Sequence, residues 1–221
     1  MNNLLKTYNF SNFEIVKGNG CYLYTSDNKR LLDFSAGVAV NSLGYNHSVI
    51  KKTLQEQLKT GITHLSGSQI HSYKTKLSKL LSKESNKGDV FFSNSGAESI
   101  EAALKIARNF GSDKNKDEII AMTSSFHGRT IGALSLGSNK QYKSNIGPVP
   151  GKVKFCQFND SKNLTKLINK KTLAIIIEFI QGDGGINICS KEFAKTIKEI
   201  CKKKNILLIA DEIQGGIGRT G

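Results

Sequence analysis

The chain has 221 residues, 38% of them hydrophobic, and carries 32 basic against 18 acidic side chains for a net charge of +14. That length holds one α/β domain with a real core, or part of a larger chain, and no apolar run is long enough to cross a membrane. Twenty-eight of the basic residues are Lys and four are Arg; the lysines are dispersed and no zinc-finger, RNP or basic-zipper pattern accompanies them, so the charge does not mark a nucleic-acid partner.

Residues of about 15–45 read as a small β unit, in which Cys21–Tyr24 and Leu31–Phe34 flank a Ser-Asp-Asn-Lys turn. His47–Thr60 and Ile70–Ser85 then carry Val, Ile and Leu at helical spacing. From Asp89 the pattern alternates. Strands are expected at Val90–Phe92, Glu118–Met122, Val153–Phe155, Leu173–Ile177 and Ile206–Ala210, and helices at Ala97–Phe110, Asn163–Asn169 and Lys191–Lys203. Short apolar runs alternating with amphipathic helices predict an α/β fold with a mostly parallel sheet covered on both faces. Cys21, Cys156, Cys189 and Cys201 form no CxxC pair and have no His at ligand spacing, so reduced thiols and no metal site are expected. The first ten residues lack a basic-then-apolar signal pattern, and a cytoplasmic location follows as an expectation.

Four strand-end loops hold the residues suited to chemistry. Ile206-Leu-Leu-Ile-Ala-Asp211 is an apolar strand that delivers an acid to its carboxyl end, just before a Gly-rich loop. Ligands of open α/β sheets bind outside such strand ends. Asp211 reads either as a salt-bridged acid or as a carboxylate set against a heterocyclic nitrogen. Asn94-Ser95-Gly96-Ala97-Glu98 joins a strand to a helix. It reads as an anion site made of unpaired first-turn amides, or as a plain N-cap by Ser95 with Glu98 completing a capping box. Phe126-His127-Gly128-Arg129-Thr130 offers an aromatic that can stack on a flat ring and an arginine that can grip a carboxylate; His127 reads as structural. Glu178, ahead of Gln181-Gly-Asp183-Gly-Gly185, either positions a substrate or braces its loop.

These four loops, in this order, resemble the class III (subgroup II) pyridoxal-phosphate aminotransferases. Leu32–Val40 and Leu43-Gly-Tyr-Asn-His47 are similar as well, so the resemblance spans nearly the whole chain. It implies a fold type I large domain that is incomplete at the C-terminus. Residues 1–50 would then belong to the small domain and 51–221 to the large one. It further implies that Ser95, Gly96 and Ala97 hold the cofactor phosphate and that Phe126 stacks on the pyridine ring. Asp211 would pair with the ring nitrogen and Gln214 with the phenolic oxygen. Arg129 would bind a substrate carboxylate, and Glu178 would pair with an arginine beyond this chain.

Within that family, Phe126 and the Phe-Phe-Ser-Asn-Ser-Gly-Ala-Glu run most resemble members acting on N-acetylornithine, and the resemblance implies N-acetylornithine as amino donor and 2-oxoglutarate as acceptor. Ornithine, succinyl-diaminopimelate and 4-aminobutyrate are alternative donors, and a non-catalytic relative is an alternative reading. Homodimerisation is implied by the resemblance alone. The departures are Phe179 after Glu178 where Pro is usual, Asp183 in place of Glu, Gly215 in place of Thr or Ser, and His64–Ile70 without the usual Asn and aromatic. The family's cofactor-binding lysine would lie roughly 30 residues past Asp211, outside these residues. The chain alone is therefore expected to be an inactive N-terminal fragment.

Overall fold

A computed structural model describes residues 5, 7, 9–85 and 87–220. The last residue of the Gly218–Gly221 motif thus lies outside the described residues. The chain divides into two compact units, Met1–Asp89 and Val90–Gly221.

In the first unit, β1 (Ile15–Asn19), β2 (Tyr22–Thr25) and β3 (Arg30–Leu32) form an antiparallel sheet in that order. Tyr45 bridges back to Gly20 by two backbone hydrogen bonds, and its Oη donates to Asp33 at 2.7 Å. Asp33 also accepts from Ser35, and these hydrogen bonds hold its carboxyl down at about 2. A short turn, α1 (Ala36–Ala39), follows with all four residues at positive φ, a conformation costly for Ala and Val. The helices α2 (Ser48–Lys59) and α3 (Ser72–Glu84) match their expected spans and bury no residue.

The second unit is a three-layer α/β structure. Helix α4 (Gly96–Ser112) precedes strand β4 (Glu118–Met122) and the short helix α5 (Ile131–Ser135). Strand β5 (Lys152–Cys156), helix α6 (Ser161–Leu167) and strand β6 (Thr172–Ile177) follow. A hairpin of two-residue strands, β7 (Ile180–Gln181) with β8 (Asn187–Ile188), leads to helix α7 (Lys191–Lys204) and strand β9 (Leu207–Ala210). The order β5-β4-β6-β9 is parallel throughout. Side-chain alternation on β4 sends Ile119 and Ala121 into a core with Ile100, Leu104 and Ala107 of α4. Ile120 and Met122 enter a second core with Leu164 of α6 and Phe193 and Ile197 of α7. Both faces of the sheet are therefore covered, which is the condition under which parallel strands read as continuous apolar runs. Cys156 and Cys201 fill the second core, and burial pushes their thiols up to about 12 and about 11. Among the described residues no helix is long and apolar enough to cross a membrane.

One expected element is absent. Residues 90–92 form no strand, and Phe91 is 75% exposed. A strand exists through its ladder, and none of the described strands pairs with this segment. The apolar run alone cannot supply that partner.

Helix α7 ends where Asn205 turns left-handed, at φ 50° and ψ 55°, and donates its N–H to Cys201 O. Lys116 Nζ covers two further carbonyls, Lys204 O at 3.0 Å and Asn205 O at 2.7 Å. Asn tolerates this conformation and a β-branched residue does not. Asn205→Val is expected to cost about 1–2 kcal/mol in urea unfolding, with Asn205→Gly near neutral. Equal stability of the Val and Gly variants would contradict the capping role.

Candidate active site

The chain leaves β4 toward β5 on one side and leaves β6 toward β9 on the other. The carboxyl ends of β4 and β6 therefore flank the switch point, where open α/β sheets form their binding crevice. The loop 123–130 follows β4, Glu178 follows β6 directly, and Asp211 follows β9.

At this end of the sheet His127 Nδ1 lies 2.7 Å from Asp211 Oδ2, with the two side chains 0% and 5% exposed. The other carboxylate oxygen, Oδ1, accepts the Ile213 N–H at 3.1 Å. A buried carboxylate needs such partners, since an unpaired one costs several kcal/mol. His127 Nε2 is buried and meets no hydrogen-bond partner among the described residues, so the pair still offers a polar atom at its far side.

Glu178 Oε2 accepts the Phe126 N–H at 2.9 Å and thereby fixes the start of the same loop. Burial pushes the Glu178 carboxyl above its ordinary value of 4.5. The Phe126 N–H and the charge on His127 pull it down, and the charge on Asp211 pushes it up. Gln181, fully buried, donates from Nε2 to Thr123 O at 2.8 Å and so ties the loop after β6 to the loop after β4.

The amino end of α4 is drawn into this cluster by two close approaches. A Cβ on Gly96 would stand 2.8 Å from Ile213 Cγ2, and one on Gly128 would stand 2.9 Å from Ala97 Cβ. Only glycine permits these contacts, and they bring the first turn of α4 beside both the His127 loop and the Asp211 loop. Ser95 caps the helix by accepting the Glu98 N–H at 3.2 Å, while Glu98 Oε2 accepts the Asn94 N–H at 2.6 Å. The Ser95 cap is the one anticipated from the sequence, whereas Glu98 reaches the Asn94 N–H, one residue before the cap, and not the Ser95 N–H that a full capping box would use. The cap takes only part of the first turn: among the described residues neither the Gly96 nor the Ala97 N–H meets an acceptor. A helix of 17 residues presents a positive dipole end at that point.

The remaining expected residues lie around this centre. Phe126 is half-buried and Arg129 is exposed. The Arg129 guanidinium sits over the Tyr142 ring, 4.5 Å from its centroid. Gln214 is packed against Gly182. Two residues with no sequence-assigned site role thus enter the site, His127 and Tyr142. For His127 a signal existed, since it neighbours Phe126 in a strand-end loop. For Tyr142 there was none, because its segment, Gln141–Lys143, carries no strand-end or Gly-rich pattern.

The sign of the Glu178 shift sets a pH dependence. Between 4.5 and the raised folded value, the folded protein keeps a proton that the unfolded chain has released, so stability falls as pH rises. Glu178→Gln is expected to remove that fall. In thermal melts, the gain of the variant over the parent should be small near pH 4 and grow with rising pH; a pH-independent difference would contradict the assignment.

A family model described as aminotransferase class-III matches residues 6–221. The acetylornithine aminotransferase of Clostridium acetobutylicum is 42% identical over 192 residues, which cover 86% of this chain and 49% of that protein. The acetylornithine/succinyldiaminopimelate aminotransferase of Buchnera aphidicola is 42% identical over 186 residues, covering 83% and 45%. Among solved structures, the ornithine aminotransferase from Toxoplasma gondii superposes with a TM-score of 0.90 at 28% identity, over 97% of this chain and 51% of that one. The chain spans about half the length of the curated relatives it matches. The order of the loops, the parallel sheet and these matches agree, and the chain belongs to the class-III aminotransferases.

Proposed function

We propose that the protein carrying this chain is a pyridoxal-phosphate-dependent aminotransferase that moves the terminal amine of N-acetylornithine to 2-oxoglutarate. Family membership and the activities named for its relatives support the reaction class and the donor. The observation that carries the reading is the buried His127–Asp211 pair, set beside the unpaired amides that open α4.

The residues fit the cofactor. The Gly96 and Ala97 N–H groups, with Ser95 at the cap, would hold its phosphate at the positive end of α4. Phe126 would lie against the ring, and Gln214 would reach its phenolic oxygen. When bound, pyridoxal phosphate supplies an electron sink for carbanion chemistry at the amine-bearing carbon.

The chain's part is charge and orientation. Asp211 would keep a proton on the ring nitrogen, because an adjacent carboxylate favours the charged form. His127 and the Ile213 N–H hold that carboxylate in a single orientation, and burial strengthens its field. Arg129 would take the donor's carboxylate through paired N–H donors, setting the distance from that anchor to the reacting amine. Glu178 would brace the Phe126 backbone from below.

The test uses the full-length gene product, assayed for cofactor absorbance and for amine transfer to 2-oxoglutarate. N-acetylornithine should outperform succinyl-diaminopimelate, ornithine and 4-aminobutyrate. Asp211→Asn is expected to lower kcat on the order of 10²–10³-fold while cofactor is still retained, as for loss of one preorganised electrostatic group. Absence of transfer from every donor would overturn the reading.

A further inference from the structure

We propose that Tyr142 is a positioning residue for substrate carboxylate: its ring holds the Arg129 guanidinium and sets it relative to Phe126. The inference rests on the role proposed above for Arg129.

Tyr142 lies in a single 3₁₀ turn, Gln141–Lys143, between α5 and β5. From there one ring meets three neighbours. The Arg129 carbon Cζ is 4.5 Å from its centroid. Phe126 meets it edge to face, with centroids 6.0 Å apart and planes at 80°. The hydroxyl donates a long hydrogen bond of 3.4 Å to Asp183 Oδ2, in the Gly-rich loop that follows β7. Arg129 and Phe126 are only three positions apart in the loop after β4, and the ring contacts both.

The chemistry suits a carboxylate clamp. Arginine is long and loses much rotamer freedom when it is ordered. A cation held over an aromatic face is oriented by the flat side of its guanidinium. Ordering in advance lowers the cost of capturing an anion. The hydrogen bond to Asp183 is long and exposed and contributes little to holding the ring, so the aromatic face itself carries the interaction.

The experiment compares two donors that differ only in the anchored group: N-acetylornithine, and N-acetylputrescine, which has the same acetamide and terminal amine but no carboxylate. Tyr142→Leu in the full-length protein is expected to raise KM for N-acetylornithine by about 3- to 30-fold, the range that loss of a cation–π contact gives. Its kcat, its cofactor absorbance and its KM for N-acetylputrescine should remain within about twofold of the parent. Tyr142→Phe keeps the ring and should restore KM. In an Arg129→Gln background Tyr142→Leu should add little, because the two then act on one interaction. An equal loss with both donors, a fall in cofactor affinity, failure of the Phe variant to rescue, or additivity with Arg129→Gln would each overturn the proposal.

Calorimetric binding of N-acetylornithine separates this inference from the proposed reaction. Binding that weakens in Tyr142→Leu, in a protein that transfers no amine, would retain the positioning role and remove the transamination reading. Transfer with parental KM in Tyr142→Leu would do the reverse. No measurable binding by the parent protein would remove both.

Discussion

The second unit depends on two strands, β4 and β6, that run parallel and are buried on both faces. From Thr172 to Glu178 no residue is more than 5% exposed, and β4 is buried from Ile119 to Met122. A strand in that position has no solvated face on which to carry polar side chains. Its chemistry must wait for the carboxyl end, where the ladder stops. Parallel register then places the ends of successive strands side by side, so residues far apart in sequence become neighbours without any contact designed between them in the chain. His127 and Asp211, 84 positions apart, meet in this way.

That arrangement concentrates charge where the dielectric is low. The net charge of +14 is spread over a lysine-rich surface, and exposed ion pairs such as Lys52–Glu56 contribute little. The consequential charges are Asp211 and Glu178, each at most 8% exposed. Their partners differ in kind. Asp211 has a histidine and a backbone amide, which support a negative charge on it. Glu178 has a backbone amide and a raised pKa, driven first by burial. The charge on Asp211 raises the cost of ionising Glu178, and a cation brought near the pair is favoured. A protonated ring nitrogen would be such a cation.

The amino end of α4 adds the opposite sign. Its first amides stand next to the carboxylate loops because Gly96 and Gly128 carry no Cβ. A side chain at either position would separate the positive helix end from the negative acid pair. The site can therefore address a ligand that is anionic at one end and cationic at the other.

Much of this was legible before any coordinates. The apolar runs and their acids located four of the strand-end loops, and the helix spans agree to within a few residues at their ends. Ser95 and Glu98 announced a capped helix start. The failures have physical causes. Residues 90–92 have the composition of a strand, yet composition cannot provide a ladder partner. His127 read as structural, and it is a buried, hydrogen-bonded histidine; its partner Asp211 was hidden because a lone histidine carries no information about which acid the topology will bring to it. Tyr142 was invisible, since its value lies in contacts with Arg129, Phe126 and Asp183 from two other loops.

Sequence by itself determined the α/β class, the positions of the acids at strand ends and the likeness to one family, because periodicity and loop residues are local properties. Tertiary structure decided which of those loops share a site, which partner holds Asp211, and which amides of α4 remain unpaired. Those facts follow from strand order and parallel register, which arise from hydrogen bonds between segments and are written in no single one of them.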